Sequence, residues 1–205
     1  DPQVRTMLNP NFDPKKCGDL PELFRRLAEY TDIIEFYRPY LERNPELPAL
    51  ARAAGEFEYW VYHILVKSNT PLSYRRLYWQ NWADDFSAVC AYWHFDSHAG
   101  GDGFNSFDGG KRTADYGVIY SDEVSDQIIT SRRCEAWFQG LIDFKLGKLC
   151  ERYLGQAAAK GLDVAAEAEK LQDIKRRGLQ ADIEGLTALQ QELIGLALSL
   201  KEKTK

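Results

Sequence analysis

Short β-prone runs alternate with stretches of helical periodicity four times along this chain, and that alternation constrains the fold more than any other feature. Val4-Arg-Thr-Met-Leu-Asn9 reads as a strand ending at Pro10, and Leu20 to Tyr30 carries apolar residues at helical spacing behind Asp19, an N-cap type. Asp32-Ile-Ile-Glu-Phe-Tyr37 is a second strand, followed by a helix around Pro48-Ala-Leu-Ala-Arg-Ala-Ala-Gly55 that a glycine closes. Phe57 to Leu65 is a third strand with a helix over 71–85, and Ser87 to His94 a fourth with a helix over 131–153. A parallel neighbour is reached only by a crossover, so the expected class is α/β with parallel pairing.

Between the fourth strand and its helix, residues 97–128 are rich in Gly, Asp and Ser and read as a loop longer than a connection needs. Loops of that kind carry function more often than packing. From about Gln156 the composition shifts to Ala, Glu, Lys, Leu and Gln, with Leu171, Ile174, Leu179, Ile183, Leu186, Leu189, Leu193, Leu196 and Leu200 at heptad-like intervals. The expected organisation is therefore one domain over 1–155 and an amphipathic helical tail over 156–205, packed on the domain or serving an oligomer contact. Gly161, Gly178 and Gly185 weaken a single uninterrupted helix there.

The charge of -5, with basic residues spread along the chain, gives no electrostatic reason for nucleic-acid or anionic-membrane binding. No run of eighteen apolar residues marks a membrane span. Cys17, Cys90, Cys134 and Cys150 lack the close Cys and His spacings of zinc or redox sites. His94, Asp96, His98 and Asp102 have ligand chemistry, but their spacing fits no metal motif. No P-loop, dinucleotide Gly motif, nucleophile elbow or HExxH appears, and no cofactor and no metal are expected.

Several motifs together carry a resemblance. They are Asp1-Pro-x-Val-Arg5, Thr31-Asp-Ile-Ile34, the Tyr- and Trp-rich third strand, Pro71-x-x-x-Arg-Arg-x-x-Trp79, Tyr92-Trp93, Tyr116-Gly-Val118 and Ser131-Arg-x-x-Glu-Ala-x-x-x-Gly-Leu-x-Asp143. Over roughly 1–153 the chain resembles the C-terminal half of the (β/α)8 barrel of glycoside hydrolases related to the barrel N-acetylhexosaminidases and their polysaccharide-degrading relatives. The resemblance implies the C-terminal half of a TIM (β/α)8 barrel, about four βα units followed by a helical tail. The four strands would be the fifth to eighth of the barrel, and the family's acidic pair follows the fourth strand, upstream of residue 1. A half barrel leaves strand edges and an open core that proteins normally cover. The chain is thus expected to be incomplete and, as an enzyme, to need the N-terminal strands, whether from the same chain or a partner. A homo-oligomer is the other partner expected.

Side chains at the C-terminal ends of barrel strands converge on the site. The expected substrate-binding residues are accordingly Asn9, Tyr37, His63, Trp93 and the loop carboxylate Asp96, and no catalytic residue is assigned. Trp93 can stack on a pyranose face or fill the barrel mouth. His63 can donate to a sugar hydroxyl, orient a carboxylate, or serve packing alone. Among the other carboxylates, Glu35, Glu58, Asp102 and Asp108, the mid-strand Glu35 and Glu58 are expected to be buried partners of Arg5, Arg38 or Arg75. Arg75, Arg76, Trp79, Arg132, Glu135 and Asp143 are expected to tie the last helices together by charge-assisted hydrogen bonds. The resemblance makes the chain the sugar-binding side of a glycosidase cleft for a polysaccharide or amino-sugar glycoside. The alternative is a noncatalytic carbohydrate-binding or assembly module. An extracellular or periplasmic location follows only from the family's usual substrates.

Overall fold

The four β-prone runs pair in the order in which they occur, all parallel: β1 (Met7–Leu8), β2 (Ile33–Tyr37), β3 (Glu58–His63) and β4 (Ala88–Ala91). The computed structural model describes residues 5–9, 17–66, 69–91, 118–122 and 127–205. It divides into two compact units, Asp1–Ile64 with Asp85–Tyr92, and Leu65–Asp84 with Trp93–Lys205.

Among the described residues, the first unit holds the sheet and three helices, α1 (Leu20–Leu27), α2 (Arg38–Arg43) and α3 (Leu47–Ala54). Asp19 caps α1 as its residue type suggested: its Oδ1 accepts from the Glu22 N–H at 3.1 Å, satisfying one of the helix's orphan donors. Helix α2 is an addition to the expected elements. Pro39 lies in its first turn, where a missing N–H costs nothing, so a proline that reads as a breaker here begins a helix. Gly55 does follow α3, with an extended φ of 178° rather than a left-handed one. Its reason is room, since an added Cβ would lie 2.5 Å from Ala28 Cβ just past α1.

Register sets which side chains share a face. Ile34, Phe36 and Val61 project to one side, where they pack with Phe24, Leu47 and Ala51 of the helices and with Phe86. Phe36 is the hub, edge-on to Phe24 at 6.4 Å and stacked with Phe86 at 6.1 Å. Each fully buried Phe, Ile or Val of this layer contributes about 1.5–3 kcal/mol by leaving water.

The second unit contains α4 (Pro71–Ala83), an antiparallel hairpin of β5 (Ile119–Asp122) and β6 (Gln127–Thr130), α5 (Arg132–Ala159), α6 (Ala165–Gly178) and α7 (Ile183–Lys203). The hairpin corrects the reading of 97–128 as loop throughout: Ile119, Tyr120, Ile128 and Ile129 are β-prone residues masked by the polar stretch before them. Helix α5 starts on Ser131, whose hydroxyl accepts from the Cys134 N–H at 3.2 Å, and runs through the composition change at 156 to Ala159.

A Schellman turn ends α5: Leu162 N–H donates to Ala157 O and Gly161 N–H to Ala158 O, with Gly161 at φ +74°. The tail is therefore two helices, joined at 179–182, rather than one. Gly161 follows the end of α5 and Gly178 is the last residue of α6, so both fall at breaks as expected, whereas Gly185 stays within α7. Leu171, Ile174, Leu186, Leu189, Leu193, Leu196 and Leu200 are buried, so the heptad-like stripe is core of this unit; Leu179 is exposed.

Gly178 and Gly140 mark where backbones approach large rings. A Cβ on Gly178 would lie 2.0 Å from Trp79 Cε3, and one on Gly140 would lie 2.5 Å from Tyr78 Cδ2.

Candidate functional site

The face of the sheet opposite the Phe36 layer carries a different chemistry. Pairing of Ile33 with Glu58, Glu35 with Trp60 and Tyr37 with Tyr62 places these six side chains on it, in three tiers along the strands. Asn9, one residue beyond β1, joins the middle tier by donating from Nδ2 to Glu35 Oε2 at 2.7 Å. The top tier is a pair of phenols, Tyr37 and Tyr62, stacked with centroids 5.0 Å apart and planes 28° apart. Tyr40 meets Tyr37 edge-on at 5.5 Å, and the Arg43 guanidinium lies over Tyr40 at 4.8 Å. In open α/β sheets ligands bind beyond the carboxyl ends of strands, which is where this tier lies.

The two carboxylates of this face differ in company. Glu58, at the start of β3, pairs with Arg5 at 2.6 Å and accepts from Trp60 Nε1 at 2.8 Å and Ser87 Oγ at 2.9 Å. The Trp60 indole hydrogen bond, followed by those of Arg5 and Ser87, holds its carboxyl below the ordinary glutamate range against the opposing effect of burial. Its expected arginine partner is found. Glu35 is only 5% exposed, yet among the described residues it has no cationic partner; the expected arginine is replaced by the neutral Asn9 amide.

Burial raises the phenol pKa of both tyrosines. For Tyr62 a side-chain hydrogen bond with Asn9 works against burial, while the nearby Glu35 charge adds to the rise. Both remain neutral hydroxyls near neutral pH. The top and middle tiers together thus offer an aromatic surface, two donor–acceptor hydroxyls, an amide and a carboxylate within one half-buried patch.

Of the residues expected to bind substrate, Asn9 and Tyr37 meet here. His63 ends β3 and alternates away from Tyr62, but its ring comes edge-on to Tyr37 at 6.0 Å. Burial keeps its imidazole below the ordinary histidine range, and its Nδ1 is buried without a hydrogen-bond partner among the described residues. Trp93 and Asp96 lie outside the described residues, as do His94, His98, Asp102 and Asp108. Tyr62 is the residue that the strand pattern alone passed over. Its signal was the two-residue step from Trp60, which only the register with β2 turns into a neighbour of Tyr37.

The helical motif residues behave as ties within the second unit. Asp143 accepts from Arg75 Nε at 2.7 Å and Nη2 at 3.2 Å, from Trp79 Nε1 at 2.8 Å and from Gln190 Nε2 at 2.6 Å. Arg75 also donates to Thr187 Oγ1 at 2.9 Å and Leu186 O at 3.1 Å. Arg76 reaches Ala181 O at 2.7 Å. Arg132 and Glu135 depart from the expectation: both are exposed, on the rim of an open concavity shared with Pro71 and Gln139.

Among the described residues, no group of three or more His, Cys, Asp or Glu is arranged to hold a metal ion. No described helix is long and apolar enough to cross a membrane. The class defined by these residues is an α/β protein built on a four-stranded parallel sheet with one apolar and one polar, aromatic face. No family model matches the chain, and no curated protein matches it.

Proposed function

We propose that this chain is part of a glycoside hydrolase acting on a polysaccharide or an amino-sugar glycoside. On this reading its sheet is the C-terminal half of a (β/α)8 barrel, and the polar face is the sugar-binding side of the cleft. The observation that carries the reading is the gathering of Asn9, Glu35, Tyr37 and Tyr62 over the middle and carboxyl-end tiers of one face of a parallel sheet whose other face is an ordinary apolar core. Strands of parallel sheets are normally apolar on both faces, because both are covered. In a barrel one face turns inward, and its carboxyl end lines the site. Stacked phenols suit the C–H face of a pyranose, and amide and carboxylate groups suit its hydroxyls. Hydrolysis needs two carboxyl groups flanking the glycosidic bond, which belong to the half of the barrel that these strands do not form.

Calorimetric titration of the full chain with chitin oligosaccharides tests the reading. Tyr37→Ala and Tyr62→Ala are each expected to weaken binding at least about tenfold, in line with the loss of one aromatic contact. Absence of saccharide binding, or variants that bind as well as wild type, would overturn it. Binding without turnover of aryl glycosides after the barrel is completed selects the noncatalytic carbohydrate-binding module instead.

A further inference from the structure

Glu35 is the one polar residue in Ile33-Ile-Glu-Phe-Tyr37, a strand otherwise composed of side chains that a covered sheet would choose. Burying a carboxylate with neither a cation nor several donors is costly, and proteins depart from local rules of this kind chiefly where function requires it. The comparison within the same face is direct. Glu58 sits on the tier nearest the strands' amino ends with Arg5, Trp60 and Ser87 around it, which is how a structural carboxylate is satisfied. Glu35 sits one tier closer to the carboxyl ends, buried to the same degree as the apolar core, with a single described hydrogen bond. That bond comes from Asn9, itself exposed, so the pair opens outward on the Asn9 side, beside the two stacked phenols.

We infer that Glu35 is the specificity-determining carboxylate of this face: it accepts a hydrogen bond from one hydroxyl of the bound sugar, while the Asn9 amide fixes its orientation. The inference rests on the sugar-binding reading and goes beyond it by assigning one hydroxyl contact to one residue. A site built to bond a hydroxyl rejects the analogue lacking it far more strongly than an apolar pocket rejects a missing methylene, because the buried acceptor is left without a donor.

The test is an NMR titration of the full chain with N-acetylglucosamine and its monodeoxy analogues. Wild type is expected to bind one analogue at least about tenfold more weakly than the parent sugar. Glu35→Gln keeps the volume and can still accept from Asn9. It is expected to weaken parent binding about tenfold and to erase the discrimination against that analogue. Tyr62→Ala is expected to weaken parent and analogues alike, because stacking does not read a hydroxyl. Asn9→Ala removes the donor that orients Glu35 from an exposed position and supplies a second route if Glu35→Gln unfolds the chain; it is expected to reduce the discrimination several-fold. Discrimination that persists in Glu35→Gln, or in Asn9→Ala where only that variant folds, overturns the assignment while leaving sugar binding intact. A wild-type chain that binds none of these sugars overturns both.

Discussion

Asp143 shows how much can hang on one side chain. Its two oxygens accept four hydrogen bonds from Arg75, Trp79 and Gln190, all of them nearly or fully buried. Asp143→Ala leaves the Arg75 guanidinium buried without its counter-charge, and a loss of about 3–5 kcal/mol is expected, read as a lowered urea midpoint. Glu58 gives a prediction in pH. The fold favours its ionised form, so its contribution is present above the unfolded carboxylate's range and is lost as pH falls through the lower folded value. Wild type should therefore lose stability as pH falls below about 5 more steeply than Glu58→Gln does, in urea titrations over that range. The motif Arg75…Trp79…Asp143 was legible as a tie because its residue types are complementary. The partner of Glu35 was not, since nothing in a strand's own sequence says that the neighbour one strand away ends in an asparagine.

Among elements, close approach is the reason for glycine at Gly55, Gly140 and Gly178, and a left-handed φ at Gly161. Gly178→Ala would drive a methyl to within 2.0 Å of the Trp79 ring, and a loss of about 1–3 kcal/mol is expected from the forced repacking of α6 against α4. Thermal unfolding of the variant checks it, with Gly155→Ala, which meets nothing within 4 Å, as the neutral or stabilising control. The cap at Ser131 was seen only in the structure, whereas strands, parallel order and the cap at Asp19 were readable because each follows from local periodicity or a single hydrogen bond. Helix α2 and the hairpin β5–β6 were not. The first is six residues behind a proline, and the second sits next to a Gly- and Asp-rich stretch that dominates any window placed over it.

At the scale of the molecule, the thiols report on the second unit. Cys134 and Cys150 are completely buried, and burial pushes the Cys150 thiol up to about 11. Little thiolate forms at about pH 8, and iodoacetamide should label neither residue until urea unfolds the unit around them, as peptide mass spectrometry would record. The site itself was only half legible. Asn9 and Tyr37 could be named from strand ends, but the cluster needs the Glu35–Trp60 and Tyr37–Tyr62 register, which is a property of the sheet and not of any one segment.

The tryptophans have a consequence of their own. Trp79 and Trp82 lie edge-to-face at 5.5 Å, almost entirely shielded from solvent, while Trp60 is the one described indole of the first unit and stands half-exposed on the polar face. Iodide is expected to quench the emission of Trp60 and to spare the shielded pair. The near-ultraviolet dichroism is expected to carry the coupled signature of Trp79 and Trp82, an optical record of the second unit as it melts.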